Sequence, residues 1–317
     1  MTEYAIGIDI GGTNTVFGIV DRNGSSIAEN SIRTDIYENV KDFVKELSVE
    51  IKKIISDKKI ISVKGIGIGA PNGNYFKGTV DFAPNLRWKG IINFAELFKE
   101  HLDYPVILTN DANAAAIGEM IYGAAKGMKN FVVVTLGTGL GSGFVANGEL
   151  LYGNDGFAGE LGHTIIFPDG RICGCGRQGC LEQYASANGI VITMKELLEI
   201  SDQKSVMRSI SMEEITSKGI YTAAKSGDEL ALEAFRYTGK VLGFALANTV
   251  AITSPEAIIL FGGLANAGDF IFKPASEYME KYMLNIFKNK VKLLPSQISG
   301  KNAAVLGASA LIWNDLK

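Results

Sequence analysis

A strand, a glycine turn and a second strand occur twice in this chain, about 125 residues apart, and that repetition is what most constrains its fold. The first copy is the apolar run Tyr4–Ile10, the turn Gly11-Gly12-Thr13-Asn14 and the strand Thr15–Val20. The second is Phe131–Leu136, then Gly137-Thr138-Gly139, then a strand to Val145. Each ends in an Asn-Gly pair, Asn23-Gly24 or Asn147-Gly148, and both residue types tolerate the positive φ of a tight hairpin turn. The offset is the size of one domain, so the pattern predicts a duplicated α/β domain, although strand–glycine turn–strand also recurs by chance in α/β proteins.

Helices fill the intervals. Val40, Phe43, Val44, Leu47, Ile51, Ile54 and Ile55 recur at three- and four-residue spacing, which predicts an amphipathic helix. Strands are expected at Gly65–Gly69, Val106–Thr109 and Ala257–Phe261, with a Pro/Gly-rich loop over Ala70–Gly78. Helices are expected at Asp111–Ala125, Leu230–Ile252, Phe270–Met283 and Ala303–Leu316, and the polar stretch Ser201–Gly219 reads as a surface excursion. Strands alternating with helices predict α/β layers.

The charge balance is 31 Lys+Arg against 34 Asp+Glu, a net −3, which offers no basic field for nucleic acid or an anionic membrane. No apolar run approaches the roughly 20 residues of a membrane span, and Met1-Thr2-Glu3-Tyr4 leads straight into a strand without a signal-peptide pattern. The expected location is the cytoplasm. An anionic substrate would need local devices instead of net charge.

Asp9-Ile10-Gly11-Gly12-Thr13-Asn14 offers one such device. Glycines at a hairpin tip let backbone N–H groups converge on a phosphate, and Asp9 is placed to hold a hydrated Mg²⁺. An ordinary tight turn explains the same residues, and the Gly-Lys-Ser/Thr ending of a Walker loop is missing. Gly137-Thr138-Gly139-Leu140-Gly141-Ser142-Gly143 fits a dinucleotide-binding pattern only loosely, because a strand follows it. As the duplicate of the first loop, it predicts a pair of loops gripping one polyphosphate. At Thr109-Asn110-Asp111-Ala112-Asn113 a strand turns into a helix. Asp111 reads either as a helix cap or as an ionised carboxylate aimed at a substrate hydroxyl, the base that phosphoryl transfer needs.

The most specific signal is His163 followed by Cys173-Gly174-Cys175-Gly176-Arg177-Gln178-Gly179-Cys180. All 3 cysteines and one of the 2 histidines lie in this segment; the other, His101, is expected in a polar helix. Three thiolates and an imidazole predict a closed tetrahedral Zn²⁺ site of structural type. Glu160 and Glu182 bracket it, and read either as solvated surface residues or as carboxylates holding vicinal sugar hydroxyls.

Together these residues resemble the ROK family (repressors, open reading frames and kinases). The carrying segments are Asp9–Thr13, Gly69-Ala70-Pro71, Ala83-Pro84-Asn85-Leu86, Asn110–Ala116, Gly137–Gly139, Gly159–His163, Cys173–Glu182 and Leu260–Gly263. Within the family the chain looks most like bacterial glucokinases. The resemblance implies an actin-like, ribonuclease-H-like duplicated two-domain α/β fold with an interdomain active-site cleft. Residues 1–109 plus 301–317 would form the small domain, and 110–300 the large domain with the zinc knot.

It also implies ATP-dependent phosphorylation of a hexose at its 6-hydroxyl, glucose first, within carbohydrate metabolism, with Asp111 as general base. Asn110, Glu160, His163 and Glu182, with Asn85 as a companion, would hold the sugar. Gly11, Gly12, Thr13, Asn14, Gly137, Thr138 and Gly139 would grip the phosphates, with Gly262 and Gly263 near the adenosine. His163, Cys173, Cys175 and Cys180 would bind zinc, and Mg²⁺ would accompany ATP. Family members are commonly homodimers. Many relatives carry lysine where this chain has Asn14, which puts affinity for ATP in question. The alternatives are an N-acetylmannosamine or N-acetylglucosamine kinase, another ROK hexose kinase, or a sugar-sensing regulator. The regulator would need a DNA-binding helix-turn-helix ahead of Asp9, against which the acidic balance weighs.

Overall fold

The computed structural model describes residues 2–298 and 303–316. In chain order the elements are β1 (Tyr4–Ile10), β2 (Asn14–Asp21), β3 (Ser26–Arg33), α1 (Val40–Asp57), β4 (Val63–Gly69), β5 (Gly73–Asn74), β6 (Thr79–Asp81), β7 (Ile91–Asn93), α2 (Phe94–Lys99), β8 (Val106–Thr109) and α3 (Asp111–Tyr122). There follow β9 (Phe131–Leu136), β10 (Leu140–Ala146), β11 (Glu149–Leu150), α4 (Glu182–Ala185), α5 (Ala187–Ile200), α6 (Ser217–Lys225), α7 (Glu229–Thr253), β12 (Ala257–Phe261), α8 (Asp269–Tyr282), β13 (Lys292–Pro295) and α9 (Ala303–Asp315).

The chain divides into two compact units. The first is built from residues 1–128, 143–159 and 296–317, the second from 129–142 and 160–295. The boundary expected after Thr109 falls inside the first unit, because α3 packs along α9 there. The other expected boundary, at 300/301, lies outside the described residues.

The two five-stranded sheets have one topology. The first runs β3-β2-β1-β4-β8 and the second β11-β10-β9-β12-β13. In the first sheet β1, β2 and β3 form an antiparallel meander, and β4 and β8 add in parallel. In the second, β12 lies parallel to both β9 and β13, while β10 pairs antiparallel with β11. The duplication expected from the repeated hairpins is therefore present strand for strand, and the architecture is the actin-like α/β fold.

Local chemistry explains the elements of the first unit. Asn39 caps α1 by accepting a hydrogen bond from the Lys41 N–H, and α1 turns Phe43, Val44, Leu47 and Ile51 into the core. Phe43 packs against Trp88 and Phe94 at ring-centroid distances of 4.9 and 6.5 Å. On the other face, α9 lies so close to β1 and β4 that a Cβ at Gly7 would overlap the Val305 carbonyl oxygen, and one at Gly67 that of Ala308. The Pro/Gly-rich loop expected over Ala70–Gly78 instead contributes Gly73–Asn74 to a small sheet, β5-β6-β7. The buried Asn74 ties that sheet to the loop around Asp155, its Nδ2 donating to the Asp155 carbonyl at 2.7 Å.

In the second unit α7 runs alongside α8, and Gly239 and Gly243 of α7 admit the backbone of Ala275. The stretch Ser201–Gly219 holds two short 3₁₀ turns and the beginning of α6. Asp228 ties it down, accepting from Val206 N–H at 2.7 Å and from Ala231 N–H at 3.0 Å as the cap of α7. His101 lies in the turn after α2 rather than within a helix.

Candidate active site and metal centre

In the first unit, the predicted phosphate loop Gly11–Asn14 joins β1 to β2. Gly11 N–H donates to the Asn14 carbonyl at 3.1 Å, closing the turn, and Thr13 and Asn14 face solvent. The backbone of Asn85 abuts this loop, since a Cβ at Gly12 would overlap the Asn85 carbonyl oxygen. Gly12 is thus a close-approach glycine that brings two predicted site segments together.

Asp9, the next-to-last residue of β1, sits in register with Gly69 of β4. A Cβ at Gly69 would lie 3.6 Å from the Asp111 Cα and 3.8 Å from Asp9 Oδ1, so both carboxylate residues flank one glycine. Asp111 is the first residue of α3. The cap itself is Asn110, whose Oδ1 accepts from Asn113 N–H at 2.7 Å, which leaves Asp111 to accept from Ala112 N–H at 2.8 Å. Asn113 donates to Thr109 Oγ1 at 3.1 Å, while its buried Oδ1 has no partner among the described residues.

The electrostatics follow from this packing. Burial first, and the charge of Asp111 second, raise the Asp9 carboxyl to about 7. Asp111 is also raised by desolvation, against the opposing hydrogen bonds from the N–H groups of Ala112 and of Asp111 itself. Its side chain is nonetheless accessible, so solvent screens part of that shift. An accessible aspartate with a raised pKa is a better proton acceptor than an ordinary surface one.

In the second unit, the loop Gly137–Gly139 joins β9 to β10. Gly137 N–H donates to the Gly139 carbonyl at 3.0 Å, and the Gly137 carbonyl accepts from Ala187 N–H, at the start of α5, at 2.9 Å. Leu140 N–H donates to Glu182 Oε2 at 3.0 Å, and Gly141 N–H to Thr135 Oγ1 at 3.1 Å. Gly262 follows β12 with φ +103, a conformation that favours glycine. Leu264 N–H just beyond it donates to the Leu136 carbonyl at 3.0 Å, so the Gly262-Gly263 turn adjoins the loop Gly137–Gly139. Glu160 is exposed, and the short 3₁₀ turn Leu161–His163 after it is fastened by Leu161 N–H to Ser142 Oγ at 3.2 Å.

His163, Cys173, Cys175 and Cys180 converge, with their four ligand atoms all within 4.8 Å of one another. His163 Nδ1 is 3.8 Å from Cys173 Sγ, and the sulfurs of Cys175 and Cys180 are 3.6 Å apart. A tetrahedral zinc with Zn–S of about 2.3 Å has S···S edges of roughly 3.8 Å and S···N edges of roughly 3.5 Å, so the donor set fits. The same 3.6 Å is far beyond the ~2.05 Å of a disulfide, and all three cysteines are free. Glycines close the knot. Gly176 and Gly179 adopt φ +86 and +74, and Gly176 N–H donates to the Cys173 carbonyl at 3.0 Å.

Arg171 was not legible as part of this site. Its guanidinium donates to the Gln183 carbonyl at 2.6 Å and to Thr193 Oγ1 at 2.9 Å, pairs with Glu196, and lies 4.5 Å from the Tyr184 ring centroid. It fastens the knot to α5. The sequence signal was a lone arginine in a glycine-rich loop, which alone reads as surface.

Each unit therefore gathers its own share of the predicted residues. The first brings together Asp9, Gly11–Asn14, Asn85, Asn110 and Asp111; the second, Gly137–Gly139, His163, the three cysteines, Glu182 and Gly262-Gly263. No helix among the described residues is long and apolar enough to cross a membrane.

Comparison with known proteins identifies the family. The glucokinase of Halalkalibacterium halodurans is 33% identical, over 98% of this chain and 95% of its own length. A solved ROK family glucokinase from Streptomyces griseus, in complex with glucose and AMPPNP, superposes with a TM-score of 0.81 at 32% identity, covering 97% of this chain and 98% of its own. The xylose repressor of Caldicellulosiruptor bescii is 30% identical, over 98% of this chain and 78% of its own length. The sequence model of the ROK family matches residues 5–315, and the chain belongs to the ROK family.

Proposed function

We propose that this protein is an ATP-dependent hexose kinase that phosphorylates the 6-hydroxyl of glucose, with Asp111 as general base. The observation that carries the reading is the accessible carboxylate of Asp111, raised in pKa and placed with Asp9 beside Gly69, in the unit that also holds the Gly11–Asn14 loop. Family membership and the similarity to glucokinases support it. Asp111 accepts the proton of the 6-hydroxyl as its oxygen attacks the terminal phosphorus of ATP, and the bond to the β,γ-bridging oxygen breaks to release ADP.

Asn85, Asn110, Glu160, His163 and Glu182 hold the remaining hydroxyls. His163 turns Nδ1 toward Cys173, which keeps Nε2 available to the sugar. Backbone N–H groups of Gly11–Asn14 and Gly137–Gly139 hold the phosphates, and Gly262-Gly263 borders the adenosine. Asp9 suits a hydrated Mg²⁺, since burial and Asp111 both act against its charge and a dication relieves both; when bound, Mg²⁺ neutralises phosphate charge. Zinc on His163, Cys173, Cys175 and Cys180 supplies rigidity rather than chemistry. Asn14 lacks the lysine charge of many relatives and leaves the phosphates to the backbone.

The test is an ADP-release assay with glucose, N-acetylglucosamine, N-acetylmannosamine, allose and fructose. Glucose is expected to show the highest kcat/KM. A higher value for an N-acetylhexosamine would move the substrate to that class, and ADP release with none of them would overturn the kinase reading. A homodimer is expected by light scattering.

A further inference from the structure

We propose that Glu182 is a positioning residue for the phosphate loop, strapping Gly139-Leu140 to the metal knot, in addition to holding sugar. The inference rests on the kinase reading for what the loop binds, but the strap itself is a matter of geometry within the second unit.

The two carboxylate oxygens have different neighbours. Oε2 accepts the Leu140 N–H at 3.0 Å, and Oε1 stands 3.9 Å from Cys173 Sγ, itself 3.8 Å from His163 Nδ1. Glycine at 139 is what lets the carboxylate in, because a Cβ there would overlap Oε2. The backbone that carries Glu182 is itself fixed. It follows Cys180 by two residues, and Leu181 N–H donates to the Thr164 carbonyl at 2.9 Å, next to His163. The loop's other end is held from the same stretch of chain, through Ala187 N–H and the Gly137 carbonyl at 2.9 Å.

A loop that binds phosphate through its backbone gains affinity in proportion to how little it must be ordered on binding. Holding both ends of Gly137–Leu140 against a metal-braced turn supplies that order in advance. A carboxylate whose only work is to bind sugar hydroxyls has no need of the Leu140 N–H. Here that bond makes the sugar ligand and the nucleotide loop one mechanical piece, so loss of Glu182 is expected to weaken both ligands.

The experiment compares wild type, Glu182→Ala, Glu182→Gln and Gly139→Ala. Affinity for AMPPNP is measured by calorimetry without sugar, and amide exchange is followed in a peptide containing Leu140. Zinc content is checked for each protein. The Ala variant is expected to exchange the Leu140 amide about tenfold faster and to bind AMPPNP about tenfold more weakly, as for loss of one hydrogen bond to a charged acceptor. Glu182→Gln keeps a carbonyl acceptor and is expected to restore slow exchange and nucleotide affinity while glucose binding stays impaired.

Gly139→Ala displaces the carboxylate from the loop side, and is expected to reproduce the fast exchange should Glu182→Ala fold poorly. Unchanged exchange at Leu140 in a folded Ala variant overturns the strap, as does AMPPNP affinity within twofold of wild type beside lost glucose binding. Wild type that binds no AMPPNP at all would instead sink the kinase reading, leaving the strap to be judged on amide exchange.

Discussion

Asp9 carries its carboxyl at about 7 because it is buried first and because Asp111 adds a second negative charge nearby. An acid with a higher pKa folded than unfolded keeps its proton longer in the native state. Between pH ~4 and ~7 the native protein therefore binds more protons than the unfolded chain. Stability contributed at this site is fullest below about pH 4, declines as pH rises to about 7, and is level above that. The rise from about 4 to about 7 bounds the effect at roughly 4 kcal/mol, and solvent at the half-buried side chain reduces it. Asp9→Asn should raise the unfolding temperature at pH 8 by a few degrees, with little change at pH 4, while turnover falls. Thermal unfolding at the two pH values checks it, and equal shifts at both would refute the assignment.

Asp111→Asn keeps the helix start, since Asn110 rather than Asp111 is the cap. Turnover should fall by about 10²–10⁴-fold for loss of a general base, with glucose affinity changed only a few-fold. Calorimetry and the ADP-release assay separate the two. A variant retaining a tenth of wild-type turnover would remove Asp111 from the base role.

Purified protein should hold about one zinc per chain by elemental analysis. Stripping it with a chelator, or replacing the buried Cys180 by serine, should lower the unfolding temperature and loosen the segment around Gly174–Gly179 to protease. Metal-free protein of undiminished stability would contradict a structural role.

Glu119 is wholly buried, accepting from Ala124 N–H at 2.7 Å and from Gln297 N–H at 3.4 Å. A Cβ at Gly123 would overlap its Oε2. Gly123→Ala should therefore destabilise by about 2–4 kcal/mol, through a displaced buried carboxylate. A denaturation midpoint equal to wild type would show that the carboxylate has room to move.

Much of this was legible beforehand for identifiable reasons. Gly11-Gly12 and Gly137–Gly139 mark hairpin tips, where the glycines serve the close approach of Asn85 to Gly12 and of Glu182 to Gly139, and three cysteines in eight positions with one histidine point to a metal. Glu119, Asn74 and Arg171 were not legible. Each is a polar residue whose partners are backbone groups or side chains distant in sequence, such as Gln297 for Glu119 and Asp155 for Asn74. Spacing along the chain carries no trace of such pairings. The β5-β6-β7 sheet leaves no sequence signal for a related reason: its strands are two or three residues long, too short for any periodicity.

The close seat of α9 on Gly7 and Gly67 has a consequence for how the protein is made. On the ribosome, β1 to β8 emerge early but lack the helix that covers one face of their sheet, because α9 is translated some 180 residues after α3. The second unit, drawn largely from the uninterrupted stretch 160–295, has all its strands and helices in hand sooner. The sheet bearing Asp9, whose strands are made first, is therefore the later of the two to gain its covering helix, since α9 begins at Ala303 and the second unit is complete at Pro295.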